Sequence, residues 1–221
     1  MDNHSPDKPE NKIIEAIQEQ ECENWIVHDD SSREAYYPEA TDLPAEPYRL
    51  YRFLTDLEDI LSNIADDSDR IKAISPLVRH LLTSSYWLQM EYLEPSPKTG
   101  WSVKMLYREP DYPLTIQMVA WNPGVVSPIH NHAAWGIVAL VSGQERNKFW
   151  RRSPTVEFPD RLELVGEQIL EPGEIIGFMP EAIHSVEPIG DEPTITFNLY
   201  GATNFPKRYE YDQIKHTVKN F

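Results

Sequence analysis

Two histidines inside an apolar segment constrain this chain more than any other feature of its sequence. They are His130 and His132, in PIHNHAAWGIVALVSG at Pro128 to Gly143. Residues two apart in an extended strand point to the same face, so both imidazoles share a side and Asn131 points away. Two neutral imidazoles on one face of a strand are half of a metal site, because their ring nitrogens can converge on one ion.

A third ligand is required, and His184 is the next histidine downstream. It lies in EAIHSVEP, at the start of a second predicted strand that follows a turn at Pro180. Three histidines would leave positions open for substrate and oxygen, and their spacing alone suits iron, zinc, manganese, nickel or copper. Beyond His132, the same-face positions are the small residues Ala134 and Gly136, which predicts a cavity beside the metal.

The part of the chain around the histidines is predicted to be all β. After the turn-rich hinge EPSPKTG, short segments rich in β-branched and aromatic residues are separated by proline and glycine, as in a sandwich or barrel. The predicted strands are Ser102 to Tyr107, Leu114 to Trp121, Trp135 to Val141, Arg146 to Arg152, Arg161 to Leu170, Glu174 to Phe178, Ile183 to Pro188 and Thr194 to Tyr200. RYEYDQIK is predicted to add a last short element against the barrel.

The part before the hinge is predicted to be helical. An amphipathic helix begins near Tyr48, and a second follows possible N-caps at Asp66 to Ser68, with Pro76 marking a kink or a break. His80 has no ligand-spaced partner and is assigned a structural or surface role. A short helix is predicted at Lys12 to Glu21, followed by the loop-like HDDSSREAYYPEATDLPAEP.

These segments divide the chain into four parts. They are a polar tail and loop with a short helix (1–47), a helical part (48–93), a β-barrel (100–205) and a C-terminal extension (206–221).

Composition excludes several classes of partner. The 221 residues include 36 Asp and Glu against 20 Lys and Arg, a formal charge of -16, which argues against nucleic acid and anionic membranes. The single cysteine, Cys22, permits no intrachain disulfide. The sequence has neither a long apolar run nor a signal-peptide pattern, so we expect a cytoplasmic protein.

At this point the sequence resembles the cupin superfamily, and within it the cysteine dioxygenase-like thiol dioxygenases. Gly124, His130, His132 and Gly143 fit the first cupin motif, and Gly136 stands where four-ligand cupins have a glutamate. Thiol dioxygenases lack that carboxylate, and WNPGVVSPIHNHAAWG is similar to their bacterial members.

The second cupin motif is matched less closely. Gly173, Pro180 and Ala182 lead to His184, with a turn of different length, and the resemblance as a whole covers about Trp101 to Gly201. It implies a mostly β fold, a cupin jelly-roll-like barrel with N-terminal helices. It also implies an iron(II)-dependent enzyme that adds both atoms of dioxygen to a small thiol carboxylate, cysteine or 3-mercaptopropionate, to give its sulfinate.

The resemblance further implies a catalytic tyrosine, Tyr200. In TFNLYG, Thr196, Asn198 and Tyr200 share one face at period two, where the family has Ser, His and Tyr. Asn198 cannot relay a proton as imidazole can, although it can hydrogen-bond a tyrosine hydroxyl.

The family also uses an arginine to bind the substrate carboxylate. No arginine matches cleanly, because Val103 falls at the usual position. Arg108, with Lys104 as the alternative, is the expected anchor on the strand KMLYR. Other chemistry in a metal cupin, such as an isomerase or a different dioxygenase, and non-catalytic ligand binding remain competing functions.

Overall fold

The computed structural model describes residues 23–37, 47–89 and 93–221. The helix predicted at Lys12 to Glu21 lies outside the described residues. Helices α1 (Leu50–Asn63), α2 (Asp67–Ser84) and α3 (Tyr86–Gln89) follow one another closely. Both long helices confirm the predicted apolar periodicity, since Phe53 and Leu57 of α1 are buried on one side.

Helix α2 has one of the predicted N-caps and continues past its proline. The side chain of Asp66 accepts a hydrogen bond from the backbone N–H of Asp69 at 3.0 Å, which caps the helix N-terminus. Pro76 lies inside the helix without ending it, so the predicted break is absent from this element. His80 is buried and stacks on Tyr48, with ring centroids 4.8 Å apart.

The rest of the described chain is mostly strand. The strands are β1 (Asn24–Val27), β2 (Arg33–Tyr36), β3 (Trp101–Arg108), β4 (Thr115–Trp121), β5 (Ile129–Asn131), β6 (Gly136–Ser142), β7 (Gln144–Arg152), β8 (Leu162–Leu170), β9 (Ile175–Phe178), β10 (Ile183–Ile189), β11 (Thr194–Tyr200), β12 (Tyr209–Asp212) and β13 (Thr217–Asn220). A short 3-10 helix, Phe205–Lys207, precedes β12. Each strand predicted between the hinge and Tyr200 is present, and no end differs from the prediction by more than two residues.

The strands form two sheets whose order defines the fold. Within the described residues one sheet has the order β2-β1-β9-β6-β11-β4-β3, and the other β13-β12-β5-β10-β7-β8. The eight strands from β4 to β11 therefore divide into β4, β11, β6, β9 and β5, β10, β7, β8. This interleaved order, with the first strand beside the last, is that of a jelly roll. The predicted fold class, a mostly β jelly-roll barrel with N-terminal helices, is confirmed.

Two apolar clusters cover the two faces of the larger sheet. Side chains of α1 and α2 pack with Ile116, Ile137 and Phe197 on its outer face. Its inner face contributes Val138 and Phe178 to a second cluster, which the other sheet completes with Phe149. The alternation of residues along each strand thus separates the helix-covered face from the interior of the barrel.

Strands were not predicted at either end of the barrel. Residues expected to form a loop include β2, which pairs with β1, and β1 continues the larger sheet by parallel pairing with β9. At the other end, β12 and β13 form a hairpin that joins the smaller sheet through β5. The expected C-terminal element is therefore part of the barrel wall. None of the described helices is long and apolar enough to cross a membrane.

Candidate metal centre

The three predicted metal ligands come together because two distant strands pair. Strand β5 carries His130 and lies antiparallel to β10, and in this register His130 is directly opposite His184. Side chains opposite each other on paired strands point to the same face. His132 follows immediately after β5 and completes the group.

The ring nitrogens of the three histidines converge. One ligating nitrogen from each of His130, His132 and His184 lies within 4.8 Å of the others. Nε2 of His132 is 2.9 Å from Nε2 of His184, so two lone-pair positions face the same point. His132 and His184 are buried, whereas His130 is partly exposed. This group could hold a metal ion and leave one side of it accessible.

The second nitrogen of two of these rings has a partner that orients it. Nδ1 of His130 lies 2.9 Å from the carbonyl oxygen of Pro128, and Nδ1 of His184 lies 2.9 Å from Oδ1 of Asn147. Both partners accept hydrogen bonds, so each Nδ1 carries the proton and each Nε2 is left free to bind a cation. The donor set therefore fits a divalent transition metal, for which neutral imidazole is a preferred ligand.

The electrostatic surroundings keep the three imidazoles neutral. Burial lowers the pKa of His130 to about 4, and it lowers the pKa of His132 and His184 well below the usual value, with mutual repulsion among the rings adding to the effect. A neutral imidazole is the form that binds a metal. No proton would have to leave these rings near neutral pH.

A buried carboxyl lies behind His184. The side-chain amide of Asn147 donates to Oε1 of Glu145 at 3.0 Å, so Asn147 links that carboxyl to the imidazole. Glu145 is only 2 % exposed. Burial raises the pKa of Glu145 to about 7, although the hydrogen bond from Asn147 by itself lowers this pKa. Sequence reasoning did not identify this connection, since neither residue lies near a histidine along the chain.

Tyr200 lies against the histidine group, as its predicted face requires. Its ring stacks on His132, with centroids 4.7 Å apart and planes 30° apart. Its hydroxyl donates to Oδ1 of Asn198 at 3.0 Å, and the Asn198 amide donates to Oγ1 of Thr196 at 2.8 Å. The predicted row of three polar side chains is thus a hydrogen-bonded chain. Burial raises the pKa of Tyr200, which keeps the phenol protonated.

The predicted cavity beside Gly136 is filled. The strand does not run on from His132 as expected, because Ala133 has φ 51 and the chain then crosses to the other sheet. Gly136 pairs with both Tyr200 and Phe178 and does face the histidines. A β-carbon at Gly136 would stand 2.6 Å from Cδ1 of Tyr200, so the tyrosine ring occupies the space where a glutamate ligand would begin.

The two expected carboxylate anchors lie at different places on strand β3. Lys104 pairs with Met118, whose side chain is in the helix-covered cluster, so the lysine lies on the face opposite the site. Arg108 pairs with Thr115 at the exposed end of the edge strand β3. The irregular register between Met105 and Tyr107 puts Arg108 on the face opposite to that of Lys104, in one cross-strand row with Thr115 and Tyr200.

Arg208, which sequence reasoning missed, is the guanidinium near the site. Its positive charge contributes to lowering the pKa of both His130 and His132, after burial. The ring of Phe221 lies 4.1 Å from Cζ of Arg208, and its centroid is 5.8 Å from that of His130. Nε of Arg208 is buried without a hydrogen-bond partner among the described residues. Its one sequence signal was its place at the start of RYEYDQIK.

A carboxylate on the neighbouring strand β12 is already paired. Glu210 lies opposite His130 in the β5–β12 register, and its side chain is 3.3 Å from Nζ of Lys219. In the described ranges 23–37, 47–89 and 93–221, Arg208 forms no ion pair with a carboxylate. Its charge is therefore available to an anion entering beside the histidines.

The fold and this site define a jelly-roll protein with an internal three-histidine group that could hold a metal ion. No protein-family model matches the chain.

Several solved structures resemble it distantly. Oxalate oxidase in complex with glycolate is 14% identical, with 52% of this chain and 57% of that chain covered and a TM-score of 0.38. This chain thus spans little more than half the length of the oxalate oxidase. A Klebsiella pneumoniae protein with a double-stranded β-helix domain is 17% identical over 52% of this chain and 83% of its own, with a TM-score of 0.40. An RmlC-like cupin protein from Ralstonia eutropha is 20% identical over 55% and 67%, with a TM-score of 0.40.

Proposed function

We propose that this protein is an iron(II)-dependent thiol dioxygenase that oxidises a small thiol carboxylate, such as cysteine or 3-mercaptopropionate, to its sulfinate. One observation carries the proposal: the partly buried Arg208 lies close enough to the three-histidine group for its charge to lower the pKa of His130 and His132. The histidines suit a metal that binds a thiol, and the guanidinium suits the carboxylate at the other end of the same small molecule.

The ligand set supports a thiolate substrate. His130, His132 and His184 are neutral, so a bound divalent ion would keep its full charge, which favours an anionic ligand. Gly136 supplies no carboxylate, and the ring of Tyr200 fills the position from which one would come. Bound iron(II) would supply the one-electron chemistry that allows dioxygen to react with a thiolate.

The reaction balances without a further reductant. The thiol loses its proton, both oxygen atoms of dioxygen form bonds to sulfur, and sulfur loses the four electrons that dioxygen gains. The protein therefore needs to provide binding, orientation and a dry site. Phe178, whose ring is 4.2 Å from that of His184 and 5.5 Å from that of His132, lines the group with apolar surface.

Arg208 is the proposed carboxylate anchor in place of Arg108 or Lys104. A planar guanidinium pairs with a carboxylate through two parallel hydrogen bonds. A buried donor without a partner is costly, and a substrate carboxylate would satisfy Nε of Arg208. The stacked ring of Phe221 restrains the guanidinium plane on its other side.

Tyr200 is the proposed catalytic hydroxyl. Its oxygen is directed by Asn198, which in turn is directed by Thr196, and its ring lies on His132. Because Asn198 has no titratable proton at neutral pH, the chain orients the phenol but does not relay a proton through it. On substrate binding the hydroxyl would turn its one proton from Asn198 to the reacting oxygen or sulfur.

Oxygen consumption tests the proposal. The protein is loaded with iron(II) under argon and mixed with air-saturated buffer and one thiol at a time, with zinc-loaded protein as the control. We expect oxygen uptake with cysteine or 3-mercaptopropionate, and a product 32 mass units heavier than the thiol in natural dioxygen and 36 in 18O2. Iron-loaded protein that consumes no oxygen with any thiol would instead favour an isomerase, a different dioxygenase or a ligand-binding cupin.

A further inference from the structure

We infer that Asn131, the residue between the first two histidines, positions Arg208 for anion binding. This inference rests on the proposed function, because it assigns the device that holds the proposed carboxylate anchor. The side chain of Asn131 points away from the histidines, as its strand position predicted. This side chain is fully buried, and each of its hydrogen bonds is made to a backbone group beside the site.

The side-chain amide of Asn131 forms hydrogen bonds with the backbone on both sides of Arg208. Its Oδ1 accepts from the backbone N–H of Tyr209 at 2.7 Å, and its Nδ2 donates to the carbonyl oxygen of Lys207 at 3.0 Å. A longer bond of 3.4 Å reaches the carbonyl of Pro180, in the turn that leads to His184. One side chain therefore links the histidine strand, the arginine and the turn before the third histidine.

The backbone of Arg208 is bonded to Phe205 and Phe221, but no strand pairing joins it to the histidine strand. In the β5–β12 pairing, His130 is opposite Glu210 and Ile129 is opposite Tyr211. Both pairs involve residues that follow Arg208 in the chain. Arg208 itself precedes β12 at the end of the short 3-10 helix. Asn131 fixes the arginine backbone relative to the histidines at the place where the ladder has ended.

This geometry matters because bidentate recognition depends on direction. A guanidinium pairs with a carboxylate well only if the two planes align, and displacements of about 1 Å can cost about a hundredfold. Removing the amide would release the Lys207 carbonyl and leave the Tyr209 N–H without its acceptor, and the bonds that remain at Arg208, to Phe205 and Phe221, do not tie it to the histidine strand. The histidines and the guanidinium would both remain, but their relative position would no longer be set.

Binding to cobalt(II)-loaded protein under argon tests the inference without turnover. The probes are 3-mercaptopropionate and 2-mercaptoethanol, which share a thiol but differ in the carboxylate, and the thiolate-to-cobalt absorption reports binding. The quantity compared is the ratio of the two dissociation constants at saturating cobalt. We expect Asn131→Ala to reduce the preference for 3-mercaptopropionate by at least about tenfold and to leave 2-mercaptoethanol within about twofold.

A double-mutant cycle separates positioning from general damage. In the Arg208→Ala background, Asn131→Ala should change the preference by less than about twofold, because the group it positions is already gone. Asn147→Ala is the matched control: it removes the other buried asparagine beside a histidine, so it should weaken cobalt binding and keep the preference.

A second variant decides the matter if Asn131→Ala does not retain cobalt. Tyr209→Pro removes the backbone N–H that donates to Asn131 and leaves the residues of the histidine strand unaltered. Tyr209→Ala is the control for the loss of the aromatic ring. Loss of the preference in Tyr209→Pro alone supports the inference. A preserved preference in the cobalt-binding Asn131 or Tyr209 variant overturns it. Wild-type protein that binds both thiols equally would overturn the proposed anion site, and the inference with it.

Discussion

Gly136 and Tyr200 lie opposite each other on strands β6 and β11, and the absence of a side chain at Gly136 makes room for the tyrosine ring. A β-carbon there would stand 2.6 Å from Cδ1 and 2.9 Å from Cε1 of Tyr200. The same ring stacks on His132. The absence of a side-chain ligand at Gly136 and the placement of the tyrosine are therefore one structural feature.

Gly136→Ala should destabilise the protein and displace Tyr200. The new methyl group cannot fit without moving the ring from His132, and such overpacking typically costs about 1 to 3 kcal/mol. Urea unfolding of the metal-free protein measures the cost. In a Tyr200→Ala background the same change should be nearly neutral, so an equal cost in both backgrounds would contradict the assigned contact.

Replacing any one of the three histidines should abolish tight metal binding. Alanine at His130, His132 or His184 leaves two ligands, and we expect affinity for cobalt(II) to fall by at least about a hundredfold. His28→Ala is the control, because His28 lies 3.2 Å from Glu34 away from the group and should leave metal content unchanged. Full metal content in the His184→Ala protein would remove that residue from the site.

Arg208→Ala should impair binding of carboxylate thiols selectively. Losing charge-assisted hydrogen bonds costs about 1.5 to 3 kcal/mol, or roughly ten- to a hundredfold in the Michaelis constant. A thiol without a carboxylate should be affected little. Arg108→Ala is the matched control, since that arginine is exposed at the end of β3. A larger effect at Arg108 than at Arg208 would reverse the assignment.

Glu145→Gln should stabilise the metal-free protein at alkaline pH. Burial raises the pKa of this carboxyl from 4.5 to about 7, so between these values the folded protein binds more protons than the unfolded chain, and stability falls as pH rises. Glutamine keeps an oxygen for the Asn147 amide but carries no charge. We expect a gain of up to about 3 kcal/mol at pH 8.5 and little at pH 4.5.

Thermal unfolding at the two pH values measures this difference. Glu163→Gln is a suitable control, because Glu163 is exposed and pairs with Arg151 at the surface. The bound metal should reduce the gain, since its positive charge favours the ionised form of Glu145. An equal gain at both pH values would show that the effect does not come from ionisation.

Local sequence patterns were sufficient for most elements of the fold. The helix at Leu50–Asn63 follows from apolar residues at three- and four-residue intervals, and the strands predicted after the hinge follow from short segments rich in β-branched and aromatic residues between proline and glycine. Both signals arise from neighbours along the chain. The grouping of His130 with His132, and the shared face of Thr196, Asn198 and Tyr200, are consequences of the two-residue period of a strand.

Tertiary structure alone decided which residues meet across strands. The sequence determined which histidines share a face and which face the tyrosine occupies. Arg208 lies near His130 only because β12 pairs with β5. The hydrogen bond from the backbone N–H of Tyr209 to the side chain of Asn131 joins residues that are 78 positions apart in the chain. Lys104 and Arg108 were predicted because they lie on the strand that carries the arginine in the family that the sequence resembles, and the sheet order places that strand, β3, at an edge. Pairing between strands that are distant in the chain depends on the packing of the whole barrel, so the periodicity of a short segment cannot predict it.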